Sequence, residues 1–122
     1  MAWDLDSDRT IYTQIVEKIQ MQIVSGYYKP GDKLPSVREL AALACVNPNT
    51  MQKAFAELER SGLIKTMRTS GRLVTEDITM IEETQKNLAQ KQLNIFFEKM
   101  MDLGYEKTRI TALLEDSIKG EL

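Results

Sequence analysis

A short polar run follows Pro48 in the middle of the chain and carries Asn49, Thr50, Gln52 and Lys53. These residue types share one chemistry. Amide side chains can pair with adenine through two hydrogen bonds, lysine can pair with guanine, and threonine can contact the thymine methyl group. The run therefore indicates recognition of base edges, provided that an element of the fold presents it to solvent.

Catalytic and metal-binding chemistry has little support in the composition. The chain has no histidine and one cysteine, Cys45, which we expect on the buried edge of a helix. The carboxylates of Glu82-Glu83 are adjacent, and neighbouring helical positions point apart, so a solvated face is the favoured interpretation. Without clustered Cys or His, or a glycine-rich phosphate loop, we expect no enzyme activity, no metal and no cofactor.

Charge is distributed unevenly along the chain. Residues 33–72 carry seven Lys/Arg and three Asp/Glu, against three and five in residues 1–32 and six and ten in residues 73–122. The net charge of the whole chain is −2, yet its middle third is electropositive. This pattern favours an anionic partner for the middle third.

The length of 122 residues fits one domain, or a small domain with an appendage. No apolar run approaches the roughly 18 residues of a membrane-spanning helix. The N-terminus is acidic where a signal peptide would be basic, and a single cysteine suits a reducing compartment. We expect a cytoplasmic protein without membrane contact.

Helical periodicity begins near Thr10, where isoleucines recur at four-residue intervals from Ile11 to Ile23. Gly26 is a natural stop after this helix. The turn at Pro30-Gly31 then leads into an extended segment, residues 33–35.

Two further helices form a helix-turn-helix. The first begins at Ser36, which has capping-box spacing to Glu39, and ends near Cys45. The second begins at Asn47-Pro48, an N-cap followed by proline at the first helical position, and ends at Ser61-Gly62. Their apolar positions predict the inner faces, Val37, Leu40, Ala41 and Ala44 on one helix and Met51, Ala54, Phe55 and Leu58 on the other.

Residues 63–67 and 72–75 flank a basic turn, which predicts a two-stranded hairpin, or wing. From about Glu76 a helical pattern returns, and it ends at Leu103-Gly104 before a shorter helix. One long and one short helix cannot cover the broad apolar stripe of this tail, but a second copy could. The predicted dimerisation residues are Leu88, Leu93, Phe96, Phe97, Met100, Met101, Ile110, Leu113 and Leu114.

Three segments resemble the GntR family of bacterial regulators: LPSVRELA at 34–41, VNPNTMQKA at 46–54 and LERSGLI at 58–64. With IYTQI at 11–15, the resemblance covers roughly residues 3–75. The NPNT run at 47–50, the short tail and its Gly104-Tyr105 joint are similar to the YtrA-type subfamily. That resemblance implies a mostly α winged helix-turn-helix domain over residues 1–75 and a two-helix dimerisation segment over residues 76–122.

The resemblance also implies a transcription regulator. We expect a homodimeric repressor on a palindromic double-stranded DNA operator, with the recognition helix at about 47–61 in the major groove and the wing at about 65–74 near the minor groove. An unidentified small-molecule effector is a further candidate partner. A protein-binding adaptor is the alternative, since some winged helices bind protein, but the basic middle third favours DNA.

Within this scheme, Asn49, Gln52 and Lys53 are predicted to read bases. Thr50 is either a further contact or only a surface residue, and for Asn47 a helix cap is favoured over base contact. Relatives often have arginines at the positions of Pro48 and Gln52, so base preferences do not transfer from them.

Arg38 is predicted to contact phosphate, with an ordinary surface arginine as the alternative. Ser36 is a second candidate, although capping alone explains it. The wing candidates are Lys65, Arg68, Ser70, Gly71 and Arg72, and a solvated strand charge is the alternative for each of the three basic residues. Residues 69–73 read TSGRL, where relatives have two glycines, threonine and an aromatic residue.

Overall fold

The computed structural model describes residues 3–6 and 9–120, which form five helices and a two-stranded antiparallel sheet. This confirms the predicted mostly helical fold with a small wing. No helix in this described part is long and apolar enough to cross a membrane. The elements are α1 (Ile11–Val24), α2 (Val37–Ala44), α3 (Pro48–Ser61), β1 (Ile64–Met67), β2 (Gly71–Val74), α4 (Ile78–Asp102) and α5 (Lys107–Ile118).

Helix α1 packs through Ile15, Ile19 and Ile23, all buried as their periodicity predicts. Ile11 was expected in the same stripe, but it is 47% exposed because it opens the helix one turn before the first buried isoleucine. Gln14 is buried and satisfied: its Nε2 donates to the Asp6 carbonyl at 2.8 Å, and the Asp6 N–H donates to its Oε1 at 2.6 Å.

Helix α2 begins with the predicted capping box. The Ser36 hydroxyl accepts the Glu39 N–H at 3.0 Å, and the Ser36 N–H donates to the Glu39 carboxylate at 3.1 Å. The helix ends at Cys45, whose φ of +57° is left-handed. The expected burial of Cys45 is wrong, because this conformation ends the helix and leaves the side chain exposed.

Helix α3 begins and ends as the sequence predicts. The Asn47 side-chain oxygen accepts the Asn49 N–H at 2.7 Å, Pro48 is the first helical residue, and Gly62 terminates the helix at φ +86°. Its whole inner face is closed to solvent and packs against α1 and α2. That face comprises Met51, Ala54, Phe55 and Leu58.

The wing is joined to the segment that precedes α2. Lys33 forms an isolated bridge with Leu73, and the Leu34 N–H donates to the Arg72 carbonyl at 2.9 Å. These contacts add a short extended edge to the sheet and fix the base of the wing. The register of the two wing strands pairs Ile64 with Val74, Lys65 with Leu73, Thr66 with Arg72 and Met67 with Gly71.

Contacts within the chain define two compact units, one running through Gln85 and one beginning at Lys86. The first unit therefore includes the opening turns of α4, where Met80 and Ile81 pack partly buried against the core. Gln85 also donates from its Nε2 to the Val24 carbonyl at 3.5 Å. A functional boundary after residue 75 stays a prediction.

The second unit contains the remainder of α4 and all of α5. Gly104, with φ +100°, lies in the turn between the two helices. Ile110 of α5 is completely buried, whereas no residue of α4 is. The tail therefore buries little of its apolar surface within one copy of the chain.

Candidate nucleic-acid interface

The N-terminal half of α3 presents the predicted base-reading residues on one surface. Asn49, Gln52 and Lys53 are exposed, and Thr50 is half-buried. They lie off the stripe that packs into the core, so α3 has a buried apolar face and an exposed face that can form hydrogen bonds. Ala56 is exposed one turn further on. Its small side chain leaves the helix surface low enough for close approach to a groove.

Asn47 lies at the start of this surface, but its side-chain oxygen is already used. That atom accepts the Asn49 N–H and caps α3. The contact supports the favoured interpretation of Asn47 as a cap. A base contact by the same side chain stays a prediction.

Ser36 and Arg38 are both exposed at the start of α2, Ser36 as the N-cap and Arg38 two positions later. Arg38 lies in the first turn of α2, where its charge is directed to solvent. The backbone and hydroxyl hydrogen bonds from Ser36 lower the pKa of Glu39 below its ordinary value. Glu39 therefore caps α2, as predicted, and its carboxylate accepts a hydrogen bond from the Ser36 N–H.

The wing divides the predicted residues into two groups. Lys65, Arg68, Ser70 and Gly71 are exposed, and Gly71 takes a left-handed φ of +79° just after the turn. The single wing glycine therefore stands where the turn requires positive φ. Arg72 differs, because its Nε donates to Glu59 Oε1 at 2.8 Å and its side chain is only 25% exposed.

Lys33 is a basic residue that the sequence reasoning missed. It is exposed, and it helps to line a cavity of about 250 Å³ between the start of α2 and the wing. The predicted extended segment at residues 33–35 was the available signal. Its pairing with β2 could not be read from a segment this short. The cavity is lined by Lys33, Leu34, Pro35, Ser36, Glu39, Gly71 and Arg72.

A second surface feature lies between α1 and α3. The Tyr12 hydroxyl donates to Glu57 Oε1 at 2.9 Å, and Arg60 forms an ion pair with the same carboxylate. The hydrogen bond to Glu57 and partial burial raise the pKa of Tyr12. This network lies beside the exposed face of α3 and pairs the negative charge of Glu57 with Arg60.

The predicted dimerisation residues lie in the second unit with mixed exposure. Ile110 is buried, and Leu88, Phe96, Phe97, Met100 and Leu113 are half-buried. Leu93 and Met101 are each 44% exposed, and Leu114 is 37% exposed. Four further apolar or aromatic residues of this unit are also exposed, namely Ile95, Leu103, Tyr105 and Ile118.

A helix-turn-helix with a polar outer face on its second helix, followed by a hairpin with basic residues at its tip, defines a winged helix-turn-helix protein of the DNA-binding class. The family model "Bacterial regulatory proteins, gntR family" matches residues 11–74. The chain belongs to this family, and it is a DNA-binding transcriptional regulator and not an enzyme.

Relatives cover nearly the whole chain. The HTH-type transcriptional repressor YtrA of Bacillus subtilis is 45% identical over 92% of this chain and 85% of its own. A GntR family transcriptional regulator from Listeria monocytogenes has a similar structure, with a TM-score of 0.82 and 43% identity over 92% of this chain and 98% of its own. These similarities extend through the tail.

A third relative was crystallised with DNA. The structure of AraR(DBD) in complex with an operator has a TM-score of 0.52 and 28% identity, over 62% of this chain and 92% of its own. The likeness concerns the DNA-binding portion only.

Proposed function

We propose that the protein is a homodimeric repressor that occupies a palindromic operator. The observation that carries the proposal is the exposed hydrogen-bonding face at the start of α3, where Asn49, Gln52 and Lys53 stand clear of the core. A recognition helix contacts base edges with its N-terminal residues. Asn49 and Gln52 suit adenine, Lys53 suits guanine, and Thr50 suits a thymine methyl group.

Phosphate contacts position this helix without reading sequence. Arg38 and Ser36 occupy the start of α2, which crosses the backbone in this motif. Both are exposed within the first turn of this helix, which supports contacts with the backbone of one strand. Lys33, which pairs with the wing strand β2, is also exposed and adds a second positive charge to that of Arg38.

The wing approaches the minor groove in this arrangement. Arg68 is its best candidate contact, because it is exposed at the turn and a narrow minor groove attracts arginine through its negative potential. Lys65, Ser70 and Gly71 line the same exposed hairpin. Gly71 would allow close backbone approach to the sugar-phosphate chain.

A second copy of the chain is the proposed partner of the tail. Leu93, Met101 and Leu114 leave apolar surface exposed within one copy. Symmetric pairing would bury the same surface on both copies. Two linked recognition helices then match two half-sites about one helical turn of DNA apart, or a multiple of it.

The cellular role follows from the same assignment. A repressor of this kind would act in the cytoplasm, where bacterial DNA lies, and occupy a promoter against polymerase. The repressor name of the Bacillus subtilis relative supports this direction. The candidate small-molecule effector would modulate this occupancy.

The test begins with selection of bound fragments from the source genome, followed by fluorescence anisotropy on the selected site. We expect the logarithm of the binding constant to fall linearly with the logarithm of salt concentration, with a slope of about −0.9 for each phosphate contact. Selected fragments should share an inverted repeat. Absent or salt-insensitive binding would contradict the proposal, and selected sites without a repeat would contradict the palindromic dimer.

A further inference from the structure

Arg72 turns from β2 toward the second half of α3. Its Nε donates to Glu59 Oε1 at 2.8 Å, and its guanidinium carbon lies 5.2 Å from the centre of the Phe55 ring. Phe55 is fully buried in the core. Arg72 therefore joins a carboxylate on the flank of α3 to a ring within the hydrophobic core. The exposed Lys65 and Arg68 lack this environment.

Glu59 is paired with the second strand of the wing through Arg72. Burial would raise the pKa of Glu59, but the hydrogen bond from Arg72, with a smaller effect of Thr66, the cross-strand partner of Arg72, outweighs it and lowers this pKa. Arg72 thus fastens β2 to the side of α3, and β1 follows through its pairing with β2.

We infer that Arg72 is a positioning residue that fixes the wing against the recognition helix and does not contact DNA. The inference rests on the proposed function, in which α3 and the wing must enter neighbouring grooves at a set separation. We name the Arg72, Glu59 and Phe55 contacts the wing clamp. Its role is to set that separation before DNA binds.

Arginine suits the clamp because its planar guanidinium can donate a charge-assisted hydrogen bond and lie over an aromatic ring at the same time. Lysine offers only a compact charge and would lose the planar contact. If Arg72 moved to a phosphate, it would leave Glu59 ionised and unpaired beside an anionic backbone. The paired arrangement therefore also favours DNA binding by neutralising Glu59.

Salt-dependent binding of the full chain to its selected site separates positioning from phosphate contact. The variants are Arg72→Met, Arg72→Lys and Glu59→Gln, with Arg68→Met as the matched wing control. We expect all three clamp variants to weaken binding by about tenfold without changing the salt slope, whereas Arg68→Met should reduce the magnitude of that slope by about 0.9, the value for one phosphate contact.

A phosphate contact by Arg72 would give a different pattern. Glu59→Gln would then bind as well as the wild type or more tightly, Arg72→Lys would retain binding, and Arg72→Met would lower the salt slope. That pattern would overturn the inference.

Amide hydrogen exchange on the DNA-free protein tests the clamp independently of the proposed function. Arg72→Met and Glu59→Gln should both speed exchange in residues 64–67 and 71–74, and Arg68→Met should not. Failure of the wild type to bind DNA would refute the proposed function and leave this measurement intact. Unchanged exchange in both clamp variants would overturn the clamp itself.

Discussion

Met80 lies directly against Gly62, the residue that ends the recognition helix. A Cβ placed on Gly62 would come within 3.1 Å of the Met80 methyl carbon. Gly62 also has a φ of +86°, which L side chains rarely adopt. The backbone conformation thus favours glycine at the point where α3 ends and the wing begins, and a side chain there would also require the Met80 methyl group to shift by a few tenths of an ångström.

We expect Gly62→Ala to lower the free energy of unfolding by more than the roughly 1–2 kcal/mol of a left-handed residue alone. Gly26→Ala is the matched control, because Gly26 has a φ of +88° and nothing within 4 Å of its Cβ position. Urea denaturation of both variants measures the difference. Equal losses would show that Met80 yields without cost and that the contact is unimportant.

The capping box at the start of α2 predicts a loss of stability in acid. The hydrogen bonds from Ser36 lower the pKa of Glu39 in the folded state. Its contribution is therefore complete above the unfolded pKa, near 4.5, and is lost as pH falls through the lower folded pKa. Thermal unfolding from pH 7 to pH 3 should show that Glu39→Gln flattens this part of the acid transition.

Removal of the other half of the box has a separate signature. Ser36→Ala should cost about 1 kcal/mol at neutral pH, as is usual for an N-cap serine. It should also reduce, without abolishing, the difference between Glu39 and Glu39→Gln in acid, because the backbone N–H at position 36, the larger cause of the lowered pKa, remains in alanine. An unchanged difference would show that the Ser36 hydroxyl does not contribute to the lowered pKa.

Base reading and phosphate anchoring should separate in two substitutions. We expect Gln52→Ala to cost about 1–3 kcal/mol on the selected site and little on random DNA. Arg38→Ala should weaken binding to both, with a smaller salt slope. Competition titrations with specific and random duplexes measure both effects. Equal losses on both DNAs from each variant would refute the assignment.

Local rules explain why so much of the DNA-binding unit was predictable. The capping box at Ser36, the Asn47-Pro48 start and the stop at Gly62 each depend on residues within one turn of each other, and the structure confirms all three. Burial followed periodicity where a helix packs along its length. The prediction of burial was wrong for Ile11 and Cys45, which lie at a helix start and a helix end and are exposed.

Contacts distant in sequence were beyond this reasoning. The residue type and hairpin position of Arg72 predict a DNA contact, and they carry no sign of its pairing with Glu59, thirteen positions earlier. The pairing of Lys33 with Leu73 spans a longer separation still. Neither relationship leaves a periodic signal, because one depends on how β2 lies against α3 and the other on how the segment before α2 pairs with β2.

The tail supports a prediction about assembly. Leu93 and Met101 are each 44% exposed on α4, so glutamate at these positions should leave the fold of one copy intact. In the proposed dimer it would bury an unpaired charge at the interface, which is strongly disfavoured. The double variant Leu93→Glu/Met101→Glu should therefore sediment as a monomer with unchanged helical circular dichroism.

Asn87→Glu/Gln92→Glu is the matched control, since Asn87 and Gln92 are exposed polar residues on the same helix and the two changes add the same two charges. It should remain dimeric. Loss of pairing should also reduce operator affinity by about 100-fold or more, because the second half-site is then no longer tethered. A double variant that stays dimeric with full affinity would contradict pairing through the tail. The dimer interface would then have to lie on the DNA-binding unit, and substitutions there would have to break the dimer.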